Sequence, residues 1–181
     1  MHIETERLLI RDLDPMDEDR LRSIVHQKNV VRFMRDWSEH CDIPGKLQGY
    51  IAWHQTQKES TDVRVNKRYA IALKAQPEEM IGMVGMGRED TLGEVEMAYF
   101  LDEAFQGCGY ATEAVTSLFD WCMAVSDLPY MILTIDCANT ASCRVAERSG
   151  FELFEQRYPI GHQQPNMESS CYYYYRKYRK H

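Results

Sequence analysis

Apolar positions recur at helical spacing through most of the first third of the chain, then alternate, then return to helical spacing. The opening run IETERLLIRDL has a mixed pattern and reads as one strand. In DPMDEDRLRSIVHQ, Leu21, Ile24 and Val25 make the inward stripe of a helix. Asp14 suits its N-cap and Pro15 its first position, while Asp17, Glu18 and Asp19 suit the positive end of its dipole. A shorter helix is expected around residues 30–34. Leu47, Tyr50, Ile51 and His54 predict another across PGKLQGYIAWHQTQ, despite Gly49.

The period then becomes extended. RYAIAL places Tyr69, Ile71 and Leu73 on one face, QPEE reads as a turn, MIGMVGMGRE as a glycine-rich strand and TLG as a second turn. EVEMAYFL alternates Val95, Met97, Tyr99 and Leu101 against Glu94, Glu96, Ala98 and Phe100. Three strands joined by short turns make an antiparallel meander. Helical spacing returns at Ala111, Ala114, Val115, Leu118, Phe119 and Cys122. The apolar run LPYMILTIDC that follows reads as a strand covered on both faces, hence parallel to its neighbour. Strand, helix and strand form a parallel crossover. NTASCRVAERSGF predicts a short helix closed by Gly150, and FELFEQRY and SSCYYYYRKY predict two more strands. The expected fold is a single α/β domain over residues 1–181, with a mixed sheet of six or seven strands and helices on both faces.

Charge and cysteine usage narrow the function. The formal net charge of −7 argues against general nucleic-acid binding, because phosphate backbones reward basic surfaces. No apolar run approaches the ~20 residues needed to cross a membrane, and the N-terminal segment lacks a signal-peptide pattern. The expectation is a cytoplasmic protein. Its six cysteines form no CxxC pair and its six histidines no HExxH spacing. The expectation is therefore free, mostly buried thiols, with neither a disulfide framework nor a metal site.

One stretch resists a bland reading. QGCGYATEA puts Gly107 and Gly109 between a strand and a helix start, where Ser, Thr, Asp or Asn would be the ordinary cap. A helix N-terminus offers unpaired N–H groups and the positive end of its dipole, and glycines let a bulky anion approach the backbone. A tight turn with no ligand is the rival reading. A Walker loop would need a lysine, and a dinucleotide loop would need a third glycine where Thr112 stands.

Gln106-x-x-Gly109-x-Ala111 resembles the Q/R-x-x-G-x-G/A acyl-CoA motif of the GNAT N-acetyltransferase superfamily. TERLLIR near the N-terminus resembles the opening of its RimJ/RimL branch, which acetylates protein N-termini. NTASCRVAERSGF, with Asn139, Ser142, Gly150 and Phe151, resembles the branch's N-x-x-S…G-F segment. The resemblance runs from about residue 3 to the end and is thinnest over residues 35–68.

The resemblance implies an acetyl-CoA-dependent transfer to a primary amine, either a protein or peptide N-terminus or a small molecule. Two rival readings are a catalytically weak acyl-CoA-binding sensor and a nucleotide-binding regulator. The implied cofactor residues are Ala98, Tyr99, Phe100 and Leu101 on the strand, then Gln106, Gly107, Cys108, Gly109, Tyr110, Ala111 and Thr112 around the diphosphate. Cys108 is a spacer in that reading and a reactive thiol in the rival one. Asn139 either holds the pantetheine arm or caps its helix. Glu96 is the implied general base, with Glu94 as the alternative and a surface ion pair as the bland role. The tyrosine that many members carry seven residues after the Asn is Ala146 here, which leaves Ser142 as the implied proton donor to the thiolate. Among the aromatics Phe33, Trp37, Tyr50 and Trp53, Trp37 is expected to face the acceptor. A homodimer is compatible with the sequence.

Overall fold

The computed structural model describes residues 1–158 and 171–180. One eight-stranded sheet runs in the order β1-β2-β3-β4-β5-β6-β8-β7. Its strands are β1 (His2–Glu4), β2 (Leu8–Asp12), β3 (Lys67–Leu73), β4 (Gln76–Glu89), β5 (Glu94–Leu101), β6 (Tyr130–Asp136), β7 (Glu152–Arg157) and β8 (Tyr172–Tyr178). The first five form an antiparallel meander, β5 and β6 are parallel, and the rest of the sheet is antiparallel.

The strand count exceeds the expected six or seven because the opening run folds back on itself. Thr5 N–H donates to the Leu8 carbonyl at 2.9 Å, and the two halves pair from His2↔Arg11 to Glu4↔Leu9. QPEE is strand rather than turn. The turn is at Lys74 and Ala75, and Gln76 already pairs with Leu73. Residues 76–79 are exposed, so they carry no apolar alternation to betray the strand. The first two residues of SSCYYYYRKY, 169 and 170, lie outside the described residues, and the strand is observed from Tyr172.

Helices cover both faces. α5 (Tyr110–Val125) and α6 (Thr140–Arg148) pack on one face, where Ala114, Val115, Leu118, Phe119 and Cys122 meet Val84, Met97, Met131 and Leu133. On the other face lie α1 (Glu18–Val25), α2 (Lys28–Phe33), α3 (Arg35–Cys41) and α4 (Lys46–Thr56), whose core includes Ile24, Leu47, Ile51, Met83 and Phe100. Asp14 does cap, but it caps a 3₁₀ turn at Pro15–Asp17 that precedes α1. Asp17 returns the bond to the Asp14 N–H and takes both arms of Arg11, at 2.7 and 2.8 Å.

The thiol expectation needs correction. Cys137 and Cys171 form a disulfide with Cα atoms 5.9 Å apart. The Asp136↔Tyr172 pairing of β6 with β8 brings the next two residues opposite one another, and Cys137 N–H donates to the Cys171 carbonyl at 3.2 Å. Their separation of 34 residues hides this partnership from spacing rules. Of the free cysteines, Cys41 and Cys122 are buried, Cys143 is half-buried and Cys108 is exposed. Among the described residues no helix is long and apolar enough to cross a membrane, and no three His, Cys, Asp or Glu side chains gather as a metal site.

His54 sits buried between Tyr50 and Trp53, with ring centroids at 4.2 and 4.8 Å, and its Nε2 has no hydrogen-bond partner. Burial pulls its pKa down from 6.5 to about 4. Below pH 6.5 the unfolded chain therefore binds a proton that the folded chain refuses, so stability falls as pH drops through this window, by about 3 kcal/mol at its foot. In His54→Leu, unfolding free energies measured by urea titration should lose less between pH 6.5 and 4 than in the parent. Parallel losses would show that His54 takes up its proton normally in the fold.

Candidate active site

The site forms where two parallel strands part company. β5 and β6 share one register pair, Glu96↔Ile132. Beyond it β5 runs on to Leu101 while β6 stays with β8 to Asp136. The opening is a cleft of about 660 Å³. β5 contributes Glu96 and Met97 through Leu101, and β6 contributes Leu133 through Asp136. Gln106, Gly107 and Gly109 through Thr112 close one end, and Asn139 and Ser142 flank it from α6.

Gly107 and Gly109 both adopt left-handed backbone, with φ of +78° and +83°. Conformation therefore demands glycine here, in addition to any ligand's need for space. A Cβ at Gly107 would meet nothing within 4 Å, so the space before the turn is open. Gly109 is the N-cap of α5 and no side chain caps the helix. Its first-turn amides are left to the cleft, as an anion cradle requires. Gln106 donates from Nε2 to the Leu101 carbonyl at 3.2 Å. Cys108 is exposed and is not among the cleft-lining residues; its main-chain carbonyl is held by Arg7.

That contact explains TERLLIR. Arg7 donates through Nη1 to the Cys108 carbonyl at 2.9 Å and through Nε to Glu113 at 2.7 Å. Its main-chain N–H and the Thr5 hydroxyl also bond Glu113. Its guanidinium lies 4.6 Å from the Tyr110 ring centroid. The N-terminal turn thus clamps the glycine turn and the first turn of α5.

The two acidic candidates on β5 differ sharply. Glu96 lines the cleft and its Oε1 accepts from the main-chain N–H of Thr134 at 3.1 Å and from the Thr134 hydroxyl. Burial pushes its pKa above the ordinary carboxylate value, and the Thr134 bonds oppose that only in part. Glu94 lies outside this cleft. It accepts from Tyr130 at 2.7 Å and from Tyr174, and pairs with Arg176 at 3.3 Å. Burial pushes its pKa up, but these bonds outweigh it and hold the carboxyl below its usual range. The surface-type ion pair considered for Glu96 is found at Glu94.

Asn139 caps α6, accepting from the Ser142 N–H at 3.1 Å, and it also lines the cleft. Both readings of this residue are compatible with its position. Ser142 stands beside it in the first turn, and its carbonyl accepts from the Tyr99 hydroxyl at 3.2 Å. Ala146 is fully buried in the core.

A family model described as an acetyltransferase (GNAT) domain matches residues 7–152. The chain belongs to the GNAT acetyltransferase family. No curated protein sequence matches it. Solved structures with the GNAT fold superpose over nearly its whole length. A GNAT-family acetyltransferase from Bacillus anthracis is 19% identical, with a TM-score of 0.77 over 98% of both chains. RimL, a ribosomal L7/L12 alpha-N-protein acetyltransferase solved with coenzyme A, is 19% identical, with a TM-score of 0.76 over 96% of this chain and 95% of that one. A Salmonella typhimurium acetyltransferase that modifies the N-terminal serine of ribosomal protein L7/L12 is 20% identical, with a TM-score of 0.71 over 97% of both chains.

Within this GNAT cleft the lining aromatics differ from expectation. Trp37 does not line it. Its ring packs edge-on against Tyr50 and Phe100, at 5.3 and 5.8 Å. Trp37 shares the inward stripe of α3 with Ser38 and Cys41, while Arg35, Asp36, Glu39 and His40 are exposed. Phe33, Met34 and Asp36 line the cleft instead, as do Glu89 and Thr91 near the β4–β5 turn. Tyr50 is half-buried and Trp53 is exposed. Sequence reasoning also passed over Thr134 and Tyr172. Thr134 did leave a signal, as the one hydroxyl inside the apolar run MILTI.

Proposed function

We propose that the protein is an acetyl-CoA-dependent N-acetyltransferase of the RimL type, acting on the α-amino group of a protein or peptide. The observation that carries this reading is a single splayed cleft with an uncapped, glycine-led helix start at one end and a buried carboxylate, Glu96, beside the point where the strands part. The residues present fit the cosubstrate. The amides of residues 107–112 cradle its diphosphate, with Gly107 and Gly109 leaving the approach open. The β5 backbone from Ala98 to Leu101, no longer paired with β6, offers donors and acceptors to the pantetheine amides as an added strand would. Asn139 supplies a side-chain amide to the same arm.

Acetyl-CoA supplies an activated thioester when bound. Glu96, its pKa raised by burial, takes a proton from the acceptor's ammonium, directly or through one water, and the freed amine then attacks the thioester carbon, forming the amide as the C–S bond breaks. A main-chain N–H of β5 near Ala98 or Tyr99 stabilises the developing oxyanion. With Ala146 unable to donate, Ser142, which lines the cleft, is the candidate to protonate the thiolate. Glu89 and Asp36 give the acceptor side acidic groups, which suits a cationic amine. RimL, one of the structural neighbours, is a protein α-N-acetyltransferase by its description, and MccE, another, was solved with acetyl-CoA and AMP.

The test is release of free thiol from acetyl-CoA with a panel of peptides bearing free N-termini, their N-blocked forms and small amines. Turnover confined to free N-termini is the expected result. Turnover only with small amines would reassign the acceptor. Calorimetric binding of acetyl-CoA without turnover on any amine would favour the sensor reading, for which the missing hydroxyl at position 146 is the supporting observation.

A further inference from the structure

Thr134 lies two residues past Ile132, where a continuing parallel ladder would pair it with Ala98. The strands have already parted there, so its main-chain N–H finds no β5 carbonyl. It turns instead to the side chain of Glu96, at 3.1 Å, and the Thr134 hydroxyl bonds the same oxygen. Among the described residues, Oε2 of Glu96 takes no hydrogen bond. Other charged groups reach this carboxylate more remotely. Glu89 from β4 and Arg68 from β3 act on it through space with opposite signs, and Asp136 from β6 with Asp36 and Arg32 from the helical layer line the same cleft. Among the described residues, only Thr134 donates to it directly.

We infer that Thr134 is the positioning residue for Glu96: two donors from one residue fix Oε1 at the splay and leave Oε2 to receive the proton of the incoming amine. The inference rests on the acetyltransferase reading above. The hydroxyl favours the ionised carboxylate, whereas burial disfavours it, so Thr134 limits how far burial raises the proton affinity of the base. It also couples the base to the splay. The same N–H that β6 loses when it leaves β5 is the one that holds the carboxylate.

The experiment compares Thr134→Val, Thr134→Ser and Glu96→Gln in the full chain. Valine keeps the shape and the main-chain donor and removes the hydroxyl. Two readouts are used: the pH dependence of kcat/KM for the acceptor at saturating acetyl-CoA, and the Glu96 carboxyl titration followed by ¹³C NMR in the unliganded protein. Thr134→Val should raise the acid limb and the NMR midpoint by about one pH unit, a tenfold change in proton affinity, the size expected of one hydrogen bond to a charged group. Thr134→Ser should restore both. A limb and a midpoint that stay in place in Thr134→Val, in a protein whose melting shows it folded, would overturn the inference. If Glu96→Gln leaves the acid limb where it was, the assignment of Glu96 as base fails. The NMR midpoint then still reports whether Thr134 tunes that carboxyl.

Discussion

Glu96→Gln is expected to cut kcat/KM for the amine by roughly a hundred- to ten-thousandfold near neutral pH, the usual range for removing a general base. The acid limb of the pH profile should vanish with it. The KM for acetyl-CoA should move little, because the carboxylate lies at the splay, whereas the proposed cradle is the glycine turn that closes one end of the cleft. The amide can still accept from the Thr134 N–H through its oxygen, so the splay survives, and a thermal melt should confirm an intact fold. Glu94→Gln is the matched comparison on the same strand. It removes the charge that pairs with Arg176 and weakens the bonds accepted from Tyr130 and Tyr174, and should lower stability without removing the acid limb. If the Glu96 variant retains its activity above pH 8 and below pH 6 alike, the base is elsewhere.

Gly109→Val should raise the acetyl-CoA KM at least about tenfold and lower the melting temperature as well. The backbone at Gly109 has φ +83°, a region that costs an ordinary residue roughly 1–2 kcal/mol and a β-branched one more. Its new side chain would also stand 3.4 Å from the Arg7 guanidinium, at the clamp that holds the turn. Gly150→Val separates the two effects. Gly150 has φ +80° after α6 and is not among the residues lining the cleft, so it bears similar strain outside the site. It should lower the melting temperature and leave the acetyl-CoA KM unchanged. Equal KM values for both variants would remove the diphosphate from this turn.

Local patterns were legible where one element's own face decides its fate. The buried stripe of α5 reads directly from Ala114, Val115, Leu118, Phe119 and Cys122, and the alternation of β5 places Glu94 and Glu96 on the same side. What failed to show is non-local. Nothing within EVEMAYFL tells Glu94 from Glu96. The difference comes from β6 and β8, which bring Tyr130, Tyr174 and Arg176 to one and Thr134 to the other. The Cys137–Cys171 bond likewise depends on a register set by strand pairing. Trp37 misled because polar neighbours suggest exposure only when the helix's inward direction is known, and seven-residue α3 is too short to declare it.

The contact between Arg7 and Glu113 spans 106 positions in sequence. The loop proposed to grip the coenzyme is therefore finished by residues made long before α5, which have to wait for that helix to emerge. Coenzyme affinity then reports completion of the tertiary structure, and a fragment beginning after β2 would carry the whole glycine motif yet lack the brace that shapes it.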